Sequence, residues 1–300
     1  MKAFYPYFDP DEWRVTSHVS IAGQPAEVAG DYISIQSILG PLDACKAEWF
    51  RKKLDRHVHI GNAIPAEVFI MAVGDPPSRE HTKIGGRPYW PKSRDWLESE
   101  NGRPLTFVAQ FNCAHSAIAS NAIPNDIILI FADIPTYREI CIKTVSFLDD
   151  DALISIDNVP PTKCLPALYG CKWLTHNYPE WQPLDDDVSE IRLDDGATVL
   201  DPFLVFQLLG MQIGSAPFTP PDGILEPTDE RILCSVCSVM PKEGVRYPFL
   251  NHPVPLTDAE VAMYTIHLTE AGTSTDGIGI IYGILRKDGS LRSHYHIFGR

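Results

Sequence analysis

Apolar residues in this chain fall in short runs that end in Gly, Pro or Asp, and few of them repeat with helical spacing. Short runs rich in β-branched and aromatic residues read as strands. Ala66–Val73 (A-E-V-F-I-M-A-V) stops at Gly74-Asp75-Pro76-Pro77. In Leu105–Phe111, strict alternation places Leu105, Phe107, Ala109 and Phe111 on one face and Thr106, Val108 and Gln110 on the other. Ile127–Phe131 is unbroken apolar sequence, which suits a strand covered on both faces. Cys141–Leu148, Leu168–Thr175 and Arg231–Met240 are further strands. The C-terminus forms the clearest hairpin: Gly277–Leu285, a turn at Lys287-Asp288-Gly289-Ser290, then Leu291–Phe298.

Helical spacing is confined to a few places. Asp43–His57 has Asp43 as N-cap, with Cys45, Phe50 and Leu54 recurring beside Lys46, Arg51, Lys52 and Lys53. Asp9–Trp13 reads as a capped turn, and Asp258–Met263 as a short helix or strand. Residues 1–60 are therefore expected to be a partly helical extension. Residues 182–198, acidic and broken by Gly, read as a solvated loop and an internal boundary. Beyond it the chain echoes its first half. Phe206–Gln212 resembles the Gly turn near residue 86, and Arg231–Met240 stands in for the strand carrying Gln110. The spacing from Gly86 to Gln110 is similar to that from Gly210 to Cys237. The expected fold is α+β and mainly antiparallel β. Two degenerate repeats, 61–181 and 182–300, form one globule under an N-terminal helical cover.

Composition narrows the functional classes. The chain has 300 residues with 44% hydrophobic content, enough for a sizeable core. A net charge of −14 disfavours phosphate backbones, so no nucleic-acid partner is expected. The seven cysteines are scattered and odd in number, unlike a disulfide framework. The N-terminus has no apolar signal core, and no run reaches the roughly 18 apolar residues of a membrane span. A cytoplasmic setting without membrane contact is the expectation.

The candidate chemistry is sparse. Cys234-Ser235-Val236-Cys237 stands alone in a β-rich run, where an offset of three puts the thiols on opposite faces, so both read as buried cysteines. His57 and His59 fall at a helix end. His294 and His296 share a strand face, which is metal-competent geometry, but on the terminal hairpin they read first as its solvent face, so no metal is expected and they stand only as weak candidates. Asp149-Asp150-Asp151, Asp185-Asp186-Asp187 and Asp194-Asp195 lack calcium-loop spacing and read as solvated loops. There is no nucleophile elbow and no phosphate-binding Gly loop. No cofactor is expected.

The richest stretch is Lys83-Ile84-Gly85-Gly86-Arg87-Pro88-Tyr89-Trp90-Pro91. Gly85 and Gly86 form a structural turn that can adopt positive φ. Pro88 stiffens it and pushes Arg87 toward extended geometry. Gln110, mid-strand among apolar neighbours, needs hydrogen-bond partners. Either its amide ties down the backbone of this turn, or Lys83, Arg87, Trp90 and Gln110 line a surface for a partner or ligand.

That stretch, with Pro104–Gln110 after it and then the strand ending Ile130-Phe131, resembles the signature of the YwqG-like family, a bacterial domain of unknown function. The resemblance implies a mainly-β, α+β fold with internal duplication and no established reaction. Some members are encoded beside secreted toxins, which implies an immunity role by analogy. The family's second copy usually carries Gly-x-Pro-x-x-Gln, and the Gly210 turn lacks that Pro. The expected function is a non-enzymatic, immunity-type module binding a protein partner. The alternative is an enzyme or small-ligand protein with a pocket at the repeat interface near Gln110.

Overall fold

The computed structural model describes residues 18–21, 24–27, 58–59, 61–160 and 165–177 (apart from 74–75, 77, 115, 124–125, 135 and 150–151), then 182–183, 190–192, 198–200, 210–238 (apart from 227–228), 268 and 278–298. The strands are β1 His18–Ile21, β2 Gln24–Glu27, β3 Val58–His59, β4 Ile64–Val73, β5 Lys83–Ile84, β6 Thr106–Asn112, β7 Asp126–Ala132 and β8 Ile140–Ser146. They continue with β9 Leu168–Asn177, β10 Gln182–Pro183, β11 Glu190–Arg192, β12 Thr198–Leu200, β13 Met211–Ile213, β14 Glu230–Cys237, β15 Ile278–Arg286 and β16 Leu291–Phe298.

The main sheet has 12 strands, in the order β16-β15-β14-β13-β4-β9-β5-β6-β7-β8, with the β1–β2 hairpin attached through β9. Its centre is the long antiparallel pairing of β4 with β9, from Ile64↔Asn177 to Val73↔Leu168. Counted as β4–β8 and β9–β16, with the boundary before β9 and not at residue 182, each half lends a strand to the other: β4 pairs with β13, and β9 with β5. The halves therefore exchange their first strands, and neither sheet half is continuous without the other. The two outer strands curl toward each other. The Ser293 hydroxyl donates to the Ile140 carbonyl at 2.9 Å, and Tyr137 stacks on Tyr295 with centroids 4.9 Å apart. Both faces of β6 and β7 are covered, with residues buried from Thr106 to Asn112 and from Ile127 to Ala132; Phe107, Leu129 and Phe131 pack with Tyr89, Trp90, Leu153, Ile154 and Val159.

The expected α+β class with an N-terminal helical cover is corrected. Among the described residues there is no α-helix, only a 3-10 turn at Ile156–Asn158. Within residues 1–60, the β-branched alternation of His18-Val19-Ser20-Ile21 forms a hairpin, and Ile21 pairs with Cys171, extending the sheet. His59 lies on a strand paired with Gln182 and not at a helix end. The segment 182–198 holds strand residues of β10, β11 and β12 where a solvated loop was expected. The helical readings at Asp9–Trp13 and Asp43–His57, the reading at Asp258–Met263, and the acidic clusters at Asp185–Asp187 and Asp194-Asp195 lie outside the described residues.

Strict alternation along β6 is also corrected. The β6–β7 register shifts between Phe107 and Ala109, so Val108 is a bulge. Beyond it Gln110 faces the same side as Phe107, because their partners Leu129 and Phe131 share a side of β7. The bulged residue is held from just past β5: the Gly85 N–H donates to the Val108 carbonyl at 2.9 Å. The second half repeats this device at a place the Gly210 echo did not mark. The Gly214 N–H donates to the Leu233 carbonyl at 2.8 Å, and β14 shifts register between Ile232 and Cys234. Ile213-Gly214-Ser215-Ala216-Pro217-Phe218 therefore occupies the place of Ile84-Gly85-Gly86-Arg87-Pro88-Tyr89, and Ser235 the place of Gln110. The Pro missing after Gly210 is present here as Pro217.

The terminal hairpin forms as its Asp-Gly turn predicts, with Gly289 at φ 82. Arg292 and Arg286 clamp Glu230, and hydrogen bonding from Arg292 leads in holding that carboxyl down at about 2.

Candidate functional site

The Gly85-Gly86 turn is built by close backbone approach. Gly85 has φ 62, and a Cβ there would lie 2.3 Å from the Pro166 carbonyl oxygen and 2.4 Å from that of Leu165. Gly86 follows at φ 63, and its N–H donates to Leu165 O at 2.9 Å. Only glycine fits at position 85, on both steric and dihedral grounds.

Gln110 is fully buried and works as a three-way backbone tie. Its Oε1 accepts from the Tyr89 N–H at 2.9 Å, and its Nε2 donates to the Arg79 and His81 carbonyls at 2.7 and 2.8 Å. Lys83 sits opposite Gln110 on β5 and donates from Nζ to the same Arg79 carbonyl at 3.2 Å. The Arg79 guanidinium reaches across to the Pro88 and Ile154 carbonyls at 3.0 and 2.8 Å. The segments before β5 and after the Gly turn are thereby tied together around β6. The tied backbone groups, at Arg79, His81 and Tyr89, flank the turn.

The other signature residues separate from this knot. Trp90 is buried edge-on against Phe131, centroids 5.2 Å apart, under the Arg94 guanidinium at 5.7 Å. Its indole N–H has no hydrogen-bond partner among the described residues. Arg87 is half-exposed. The structure thus brings Lys83 and Gln110 together inside, and gives solvent access only to Arg87 among the four proposed site residues.

Tyr89 is the signature residue whose role sequence reasoning missed. Its ring packs on Phe147 at 6.2 Å between centroids. Its hydroxyl donates to the Leu148 carbonyl and accepts from the Leu148 N–H, both at 2.7 Å. Phe147 and Leu148, 41% and 39% exposed, are the large hydrophobic residues left open to solvent among the described residues. The available signal is the aromatic-apolar pair ending a strand just before Asp149. The second half shows the contrast. There Phe218 takes the place of Tyr89 and stacks on Phe298 at 4.5 Å, closing that edge with no hydroxyl.

Residues 82–138 match a domain of unknown function, DUF1963. The DUF1963 segment starts one residue before β5 and ends just before β8, so it holds the turn, Gln110 and Tyr89. No curated protein matches this chain.

The remaining candidates are placed as follows. Cys234 and Cys237 are buried in β14. Burial pushes the Cys237 and Cys113 thiols up to about 12, and Cys234 well above its ordinary value. Such thiols stay protonated and unreactive. His294 and His296 share a face of β16, and Tyr282 on β15 is the register partner of His294. Burial, then Arg292 and His296, lowers the His294 pKa. Among the described residues no group of three or more His, Cys, Asp or Glu could hold a metal ion. No helix among them is long and apolar enough to cross a membrane. Asp149 is exposed, as expected of a solvated segment.

Proposed function

We propose that this protein is a non-enzymatic protein-binding module of the YwqG-like, immunity type, acting in the cytoplasm on a protein partner. The observation that supports it is the exposed Phe147-Leu148 pair, held in place by Tyr89 of the signature. Leu148 is fixed through its backbone by the Tyr89 hydroxyl and Phe147 by the Tyr89 ring, so two adjacent large apolar side chains are held open to solvent, a surface that suits contact with a partner. The signature's buried polar groups then serve as the frame that sets Tyr89, and Tyr89 sets the presented pair. Aromatic and aliphatic anchors of this kind supply most of the energy at protein interfaces.

The test is affinity capture from the source cell with the full chain, beside Phe147→Ser/Leu148→Ser, followed by calorimetry with the purified partner. The expected result is a stoichiometric complex that weakens at least tenfold in the double variant, with the melting temperature little changed. Equal affinity for both forms, or no partner for the wild type, refutes the reading.

A further inference from the structure

The edge beside Phe147 has its own geometry. Among the described residues β8 closes the strand order and pairs with β7 alone. The Ile140 carbonyl is used on the side away from β7, where it accepts from Ser293. Backbone groups of an antiparallel strand alternate in direction with period two. The N–H and C=O groups of Thr144 and Ser146 therefore point the same way as that carbonyl. Among the described residues no backbone group bonds them on that side. Side chains there leave access: Lys143, Thr144 and Ser146 are exposed, and the Ser146 hydroxyl is drawn back to Asp126 at 2.7 Å. At the far end the Tyr89 hydroxyl takes both backbone groups of Leu148, so it terminates the open ladder.

Resting on the binding-module reading, we infer that the partner is an extended protein segment that adds as a strand along Lys143–Ser146. Only an extended chain presents donors and acceptors at the repeat set by Thr144 and Ser146. Its apolar side chains, one on every second residue, pack over Phe147 and Leu148. A basic residue where the added strand passes Asp149 fits the exposed carboxylate there. The opposite edge is no equivalent site, because Phe298 is stacked under Phe218 and the Tyr295 hydroxyl is held by the Leu268 carbonyl.

The test uses a displayed library of random linear nonapeptides selected on the immobilised full chain, and the most enriched peptide made synthetically. Strand addition predicts that amide exchange at Thr144 and Ser146 slows at least tenfold in the complex. It also predicts that Thr144→Pro, a change an edge strand tolerates, weakens binding at least tenfold, as does N-methylation of alternate peptide amides. Protection confined to other amides, full affinity of the N-methylated peptide, or no enrichment overturns strand addition. The binding-module reading stands or falls separately, on the calorimetry with Phe147→Ser/Leu148→Ser.

Discussion

Replacing Gln110 by methionine isolates the polar work of one amide. The change nearly preserves side-chain volume, so the cavity term is small. It deletes three buried bonds, to the Tyr89 N–H and the Arg79 and His81 carbonyls. Each buried group that loses a bond costs about 1–3 kcal/mol. The Arg79 carbonyl keeps its bond from Lys83, so the two remaining groups, the Tyr89 N–H and the His81 carbonyl, bring the sum to about 2–6 kcal/mol. That is a large part of the roughly 5–15 kcal/mol typical of a whole domain. Gln110→Glu tests the same geometry by charge. One carboxylate oxygen still accepts from Tyr89 N–H, but the other then faces two carbonyl oxygens. The folded state favours the protonated form, so the introduced carboxyl has a raised pKa. Its stability is then best below the ordinary value of about 4.3 and is lost as pH rises through the folded value. Urea unfolding followed by circular dichroism at pH 4 and pH 8, each against wild type at the same pH, measures both effects. A Gln110→Met variant within about 1 kcal/mol of wild type, close to the range of ordinary surface changes, would refute the tie. So would a Gln110→Glu variant with no added pH dependence.

Three further outcomes follow from the same geometry. Gly85→Ala must place a Cβ 2.3 Å from the Pro166 carbonyl, whereas Gly102→Ala, at φ 70, meets nothing within 4 Å. The first should abolish soluble expression or a cooperative melt, and the second should cost only the left-handed penalty of about 1–2 kcal/mol. For His294 the folded pKa is depressed by burial, so the unfolded chain binds the proton more readily. Stability is full above the ordinary value of about 6.5 and declines as pH falls through the folded value. His294→Gln should flatten that decline in urea midpoints taken from pH 8 to pH 5. Cys113, Cys234 and Cys237 should resist a thiol reagent at pH 8 until the chain is unfolded, which peptide mapping by mass can read residue by residue.

Much of the strand content is legible because its signals are local. The apolar runs at Ile127–Phe131 and Leu168–Thr175 and the Asp-Gly hairpin each carry their pattern within a few residues, and each forms the expected strand or turn. The need for glycine at position 85 is legible too, since a Gly-Gly-x-Pro turn invites positive φ. The helical cover is a misreading because residues 18–21 and 24–27 pair with each other as a hairpin that docks on β9, a long-range partner, through Ile21. Spacing alone points to Gly210 as the echo of the first turn. The structural match is Ile213–Phe218, marked by the Ile-Gly-x-x-Pro-aromatic pattern that it shares with residues 84–89.

By itself the sequence determined where most of the central strands and the terminal hairpin lie, that a Gly turn precedes a Gln-bearing strand, and that the chain carries a strong negative charge. Tertiary structure alone decided the face of Gln110. An extra residue sits in β6 at Val108, where its carbonyl accepts from the Gly85 N–H, and the period of two then turns every later side chain over. It also decided that β4 and β9 change places between the halves, because their mutual pairing is longer than any other pairing among the described residues. It finally decided that Phe147 is presented while Phe298 is partly covered. That difference depends on what lies across the sheet from each, and one hydroxyl, on Tyr89 and absent from Phe218, marks it.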